Sequence, residues 1–231
     1  MDSFDLTRAL VFILFIGGLL VYVIGRLVAR KSVINTKFIV KTAIFSAMSV
    51  ILYTVPYLKF SVPFFPSFLE IHLDEIPALI AGFAYGPLCG FFVILIKTII
   101  KLPMTTTMCV GELADFIYSS IFIIPAAIIY RKNRKIKGAL FGLLMGGGLQ
   151  LVTASLITTF LMLDFYIMMM GFPKEAILKM CQAINPMVTS LDWPFLLMVA
   201  LPFNLFKDIL VVVVTFILYK NMHRFIDKKI K

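Results

Sequence analysis

The chain has 231 residues, of which 61% are hydrophobic and 15% charged, with a mean hydropathy of +1.01. Soluble chains run about 45–50% apolar and about 25% charged, so this composition excludes an ordinary water-soluble domain and makes a bilayer the solvent. The net charge of +10 does not point to nucleic acid, because the basic residues cluster beside apolar runs, where membrane orientation explains them.

The first apolar run, Ala9 to Gly25, lies between Arg8 and Arg26 and is followed by Arg30, Lys31 and Lys37. It begins with Asp2 and Asp5 and ends without a small-residue cleavage site, so it predicts a retained transmembrane helix rather than a signal peptide. Residues 1–37 then form an additional N-terminal helix with a basic cytoplasmic linker, its extreme N-terminus outside. Residues 38–231 form the main membrane domain. Its apolar runs are Phe38 to Leu58, Ile76 to Tyr85, Leu88 to Ile100, Leu113 to Tyr130, Ala139 to Leu163 and Leu196 to Tyr219. The prediction is an all-α polytopic membrane protein with a six-helix core.

Two of these runs are too short to cross about 30 Å of hydrocarbon. Ile76 to Tyr85 and Leu88 to Ile100 are expected to extend into flanking polar residues or to pack tilted, meeting at a Gly86-Pro87 break. Charge supports the alternation: 15 of the 22 basic residues fall on segments placed inside, at Arg26 to Lys41, Arg131 to Lys137 and Lys220 to Lys231. Core N- and C-termini are therefore expected in the cytoplasm, and the long connections Lys59 to Glu75 and Asp164 to Phe195 outside.

The first connection is extended by Pro63 and Pro66 and carries Phe64, Phe65 and Phe68, which suits an apolar lid over a pocket better than an aqueous loop. Glu70, His72 and Asp74 alternate along it. That spacing suggests a metal, but Asp74 just before Ile76-Pro77 serves more simply as a helix cap. The second connection contains a stretch from Pro173 with Glu175, Lys179 and Gln182 on one helical face, predicting an interfacial helix with Tyr166 and Trp193 as headgroup anchors. Cys89, Cys109 and Cys181 lack zinc spacing and are read as free thiols, with a Cys109–Cys181 bridge the alternative.

Small residues recur every fourth position at Ala43 and Ala47, at Gly82, Gly86 and Gly90, and at Gly138, Gly142 and Gly146. Such spacing lets helix backbones approach closely. The glycine series are expected to pack inside the bundle, whereas Ala43 and Ala47 could form an exposed docking groove for another membrane subunit. The last run is interrupted by Asn204, Lys207 and Asp208, each charge costing about 2.5–3.5 kcal/mol near the bilayer centre on insertion scales. Offsets of three and four place Asn204 on one face with both charges, and Pro202 offers a kink. A structural network with Asp115 or Glu112, a ligand pocket and an ion path are all consistent with this set. A second polar stripe, Gln150, Thr153, Ser155, Thr158 and Thr159, runs along the fifth core helix. No phosphate loop, nucleophile elbow or paired-histidine zinc motif is present, so no enzyme activity and no ATP hydrolysis are expected of this chain.

Four segments in order carry a family resemblance: Pro63-Phe-Phe-Pro-Ser-Phe-Leu-Glu-Ile, Asp74-Glu-Ile-Pro-Ala-Leu-Ile-Ala-Gly-Phe-Ala-Tyr-Gly-Pro-Leu-Cys-Gly, Val110-Gly-Glu-Leu-Ala-Asp-Phe and Pro202-Phe-Asn-Leu-Phe-Lys. They resemble the riboflavin-specific S components of energy-coupling factor (ECF) transporters, over about Phe38 to Tyr219. The resemblance implies a six-helix subunit that captures riboflavin from outside and partners a membrane coupling protein and two ATPases. It implies coupling-protein docking at Ala43 and Ala47, and flavin binding by Asn204 and Lys207. Thr158 falls where such proteins often carry an Asn. The expected substrate-binding set is Asn204, Lys207, Thr158, Phe65, Leu69, Glu70, Glu112 and Asp115, with riboflavin as transported ligand, no cofactor and no metal.

Overall fold

The computed structural model describes residues 35–228, so the N-terminal helix expected within 1–37 lies outside the described residues. Helix α1 (Thr36–Thr54) opens at Asn35, whose side chain accepts a 2.9 Å bond from the Phe38 backbone N–H. Its inward face is polar: Thr42, Ser46, Ser49 and Tyr53 are buried, while Ile39, Val40, Ile44, Met48 and Ile51 point outward. That inversion of the soluble pattern is what a lipid solvent selects.

A 3₁₀ turn (Pro56–Leu58) leads into a two-stranded antiparallel hairpin, β1 (Phe60–Ser61) and β2 (Glu70–Ile71), with Phe60 opposite Ile71 and Ser61 opposite Glu70. Pro63 and Pro66 occupy its irregular tip. Helix α2 (Glu75–Tyr85) is buried from Glu75 through Ala84, and packs against α1, α3 (Pro87–Lys101), α4 (Val110–Lys132) and α7 (Leu201–Lys228). A helix apolar on all sides belongs at the centre of a bundle. Its 11 residues span only about 16 Å at 1.5 Å per residue, so α2 does not extend into flanking polar residues. By contrast α3 continues through a 3₁₀ turn to Met104. The two meet at Gly86, whose φ of 102° is open to glycine and strained for other residues, and Pro87 starts α3.

Helix α5 (Ile136–Ile157) runs on through a π-helical turn (Thr158–Met162) and a final stretch, Leu163–Met169. It packs on α4 through its glycines: a Cβ at Gly142 would lie 2.7 Å from the Ala126 carbonyl oxygen, and one at Gly146 2.5 Å from that of Phe122. The expected internal packing therefore holds at Gly142 and Gly146. At Gly86 a Cβ would meet nothing within 4 Å, so that glycine serves the turn instead. Amphipathic α6 (Lys174–Ile184) buries Ile177 and Cys181 against Leu163, Val188, Leu191, Phe195 and Val199. The last helix enters through Trp193–Phe195 and a second π turn, Leu196–Ala200, before α7. Pro202 has no N–H to give the Met198 carbonyl, and the widened turn sits immediately before it; Leu201 N–H closes on the Leu196 oxygen.

Among the described residues five helices are long and apolar enough to cross a membrane: Thr36–Thr54, Pro87–Met104, Val110–Lys132, Ile136–Met168 and Trp193–Met222. With the shorter Glu75–Tyr85 they make the six-helix core, and the protein is an all-α, multi-pass membrane protein.

Candidate functional site

The two π turns pack against each other, and beside them lies a cavity of about 230 Å³. Thr158 and Met162 from the first turn and Ala200 from the second line it. A π turn spreads the backbone and re-aims side chains, which is why such turns recur at functional sites. A second cavity of about 440 Å³ shares Phe68, Glu70, Thr106, Thr107, Leu163 and Tyr166 with the first. Together they reach the size usual for small-molecule sites, roughly 300–1,000 Å³.

Seven of the expected binding residues meet on the first cavity: Asn204 and Lys207 from α7, Thr158 from α5, Glu112 and Asp115 from α4, and Leu69 and Glu70 from the hairpin. Phe65 does not. Its ring packs edge-on against Phe203 at 5.3 Å and near Phe206 at 6.4 Å, away from the cavity wall. The proline-bounded tip turns Phe65 onto α7 and leaves Phe64 exposed, so Phe68 and Leu69 supply the apolar cover instead.

Asn204 donates a 3.1 Å bond to the Ser155 hydroxyl, and Thr158 shares a 3.3 Å contact with the Tyr118 hydroxyl. The Lys207 ammonium lies 3.5 Å from Glu75 Oε1 and 3.9 Å from Asp115 Oδ1. Asp115 is one expected partner; Glu112, the other, is held elsewhere. Thr105 and Thr107 donate to its Oε2 at 2.7 and 2.8 Å. The same two hydroxyls accept from the backbone N–H groups of Thr107, Cys109 and Gly111, which shapes the loop where Met108 and Cys109 take positive φ.

Glu75 collects Ser119 at 3.0 Å, Gln150 at 2.7 Å and Lys207 on one carboxylate oxygen, drawing α4, α5 and α7 onto α2. Asp74 is not the side-chain cap of α2: its carboxylate makes no capping bond. It pairs with Lys97 and His72 instead, and Lys97 reaches Asp115 at 2.7 Å. Capping gives way because Lys97 is fully buried and needs both carboxylates to offset its desolvation. Ser49 of α1 donates to the Asp74 carbonyl at 2.7 Å, and the Lys97 ammonium lies 4.5 Å from the centre of the Tyr53 ring.

Glu70, His72 and Asp74 do not converge on a metal. Glu70 pairs with Lys59 at 3.3 Å, and among the described residues no group of three or more His, Cys, Asp or Glu is placed to hold a metal ion. The three cysteines are unbridged. Tyr166, expected at the headgroups, is half-buried and lines both cavities. Trp193 is 62% exposed, with its ring 5.3 Å from Phe160. Sequence reasoning passed over Tyr53, Tyr118 and Phe203 on the cavity wall and Glu75 behind it, and weighed His72 there only as a metal ligand. For Glu75 the available signal was a carboxylate at the head of an apolar run; the aromatic residues carry none.

Ala43 and Ala47 sit far from this chemistry, exposed on the outward face of α1.

The family model described as "ECF transporter, substrate-specific component" matches residues 37–219. The chain is 28% identical over 194 residues to the riboflavin transporter FmnP of Bacillus subtilis (strain 168), covering 82% of this chain and 95% of the relative. It is 26% identical over 183 residues to the riboflavin transporter RibU of Staphylococcus aureus (strain TCH60), covering 79% and 90%. A solved structure, reported as "Structure and mechanism of the S component of a bacterial ECF transporter", superposes with a TM-score of 0.62 at 25% identity, over 82% of this chain and 96% of that one. With a six-helix core, a lined cavity at the π turns and a match that runs from 37 to 219, the chain belongs to the substrate-specific components of ECF transporters.

Proposed function

We propose that the transported substrate is riboflavin, bound in the cavity at the two π turns. The observation that carries this reading is the pairing of Asn204 and Lys207 on one wall, facing a lining of Tyr53, Phe68, Tyr118, Tyr166 and Phe203. A flavin has a flat apolar tricycle whose uracil-like edge offers alternating donors and acceptors. The Asn204 amide supplies both, and the Lys207 ammonium donates to a ring carbonyl. Aromatic walls suit the tricycle, and the connected second cavity has room for a polyol tail beside the hydroxyls of Thr106 and Thr107. Leu69 and Glu70 of the hairpin close the site from one side, and Glu112 and Asp115 set its polarity. The relatives named above as riboflavin transporters support the same ligand.

The role is capture and transfer without covalent chemistry. Ala43 and Ala47 on the exposed face of α1 form the contact for a membrane coupling protein, which in turn carries two ATPases. The segments with most basic residues face the cytoplasm, which puts the core termini inside and the hairpin outside, in the cell membrane.

The test is titration of the detergent-purified protein with riboflavin, followed by quenching of flavin fluorescence. Lys207→Ala and Asn204→Ala should each weaken binding at least about tenfold, the equivalent of about 1.4 kcal/mol. A native protein that does not quench, or variants that bind as tightly as the native chain, overturns the assignment.

A further inference from the structure

The bundle behind the cavity holds more buried acid than base. Among the described residues, Asp74, Glu75, Glu112, Asp115 and Asp208 are buried against only Lys97 and Lys207. Four of the five acids have partners. Lys97 serves Asp74 and Asp115, threonine hydroxyls serve Glu112, and Ser119, Gln150 and Lys207 all meet Glu75 at its Oε1.

Asp208 is different. It is 5% exposed, and neither of its carboxyl oxygens has a hydrogen-bond partner among the described residues. Buried and unpartnered there too are Glu75 Oε2, Gln150 Oε1 and the hydroxyls of Ser46, Thr98, Thr159 and Thr215. Glu75 and Gln150 adjoin, since Gln150 Nε2 donates to Glu75 at 2.7 Å, and α7, which carries Asp208, packs on both α2 and α5. The charges bearing on Asp208 are Glu75 of α2 and Lys207 of its own helix. Lys207 in turn lies 3.9 Å from Asp115 of α4, which is linked to Lys97, Asp74 and His72. From Gly138 to Leu163, α5 contributes no ionisable side chain. Asp208, Glu75 Oε2 and Gln150 Oε1 thus offer four unpartnered acceptor oxygens, and the cation beside them, Lys207, is already shared by Glu75 and Asp115.

A buried carboxylate without a partner is among the least favourable arrangements in a low-dielectric interior, and folded proteins meet it with a compensating charge or by neutralisation. We propose that Asp208, with Glu75 Oε2 and the Gln150 amide oxygen, forms a cation-accepting site that takes up one positive charge, a proton or a sodium-sized ion. Among the described residues no group of three or more His, Cys, Asp or Glu is placed to hold a metal ion, so the charge proposed is a single one. Oxygen-only donor sets are what transporters use for protons and sodium near the bilayer midplane. Asp208 does not line the substrate cavity, but it lies one helical turn below Asn204 and next to Lys207. The site stands independently of which substrate the cavity takes.

The test uses the ligand-free full chain in detergent, so it does not depend on flavin binding. Infrared spectra are recorded for the native protein, Asp208→Asn and Glu75→Gln, and melting is followed in sodium against choline chloride at constant ionic strength. If the charge is a proton, the native spectrum contains a protonated carboxylic acid carbonyl band near neutral pH that Asp208→Asn or Glu75→Gln removes, and melting is indifferent to sodium. If it is sodium, that band is absent and the native protein melts at higher temperature in sodium, an effect missing from either variant. Asp208→Asn replaces the carboxylate by an amide with its own N–H donors, so this variant should melt no lower than the native chain. The sodium and band measurements on the native protein stand even if one variant does not fold. Absence of both the carbonyl band and the sodium effect overturns the proposal.

Discussion

Lys97→Met removes the cation that Asp74 and Asp115 share, and its cost can be worked from the geometry. The ammonium is fully buried, pairs with Asp74 and lies 2.7 Å from Asp115. Removing one partner of a buried ion pair typically costs about 3–5 kcal/mol, because the stranded carboxylates keep their desolvation penalty. His72 Nε2 at 3.7 Å and Lys207 at 3.9 Å from Asp115 remain to compensate in part, which puts the expected loss near the lower end, about 3 kcal/mol. The control is Lys59→Met. Its pair with Glu70 is 3.3 Å long, but the carboxylate is 54% exposed, and such pairs are worth about 0–1 kcal/mol. Unfolding in mixed detergent with increasing SDS should separate the two variants by a clear shift in midpoint. Adding Asp74→Asn and Asp115→Asn to Lys97→Met should recover much of the loss, since the stranded charges are then gone. If Lys97→Met and Lys59→Met unfold at the same midpoint, the reasoning that the ion network holds α2, α3 and α4 in place is refuted.

Gly146→Ala should destabilise by about 1–3 kcal/mol through overpacking, because the new methyl would sit 2.5 Å from the Phe122 carbonyl oxygen, whereas Gly148→Ala, with nothing within 4 Å, should be neutral in the same unfolding assay. Ala43→Leu and Ala47→Leu should leave riboflavin binding by the isolated protein unchanged and reduce copurification of the coupling protein, as read by pull-down from co-expressing cells; retained copurification in both would remove this face as the contact. Burial pushes the Cys181 thiol up to about 11, so at pH 8 it should resist maleimide while the partly exposed Cys109 is labelled first, as mass spectrometry of time points would show.

The fold was legible because a bilayer leaves few options. Runs of apolar residues must be helices, and Gly86-Pro87 marked the break between α2 and α3 by conformation alone. The glycines at 142 and 146 announced the close α4–α5 contact. What could not be read were the connections through space. Asp74 has the composition of a cap, and only the burial of Lys97 one helix away explains why its side chain turns elsewhere. Lys207 was visible as a charge in an apolar run, but its nearest carboxylate, Glu75, is 132 positions earlier in the chain. The hairpin was legible as an apolar cover; which of its phenylalanines faces the cavity depends on how the proline tip settles on α7, and Phe65 went to Phe203. Tyr53, Tyr118 and Tyr166 were invisible as wall residues because an aromatic in a membrane helix looks the same whether it faces lipid, core or ligand.

The most direct measurement is the stoichiometry of flavin bound to the purified native protein. One riboflavin per chain should remain after gel filtration in detergent, giving a yellow protein whose flavin fluorescence is quenched and returns on denaturation. A protein that is colourless, and that stays so after incubation with excess riboflavin, contradicts the riboflavin assignment.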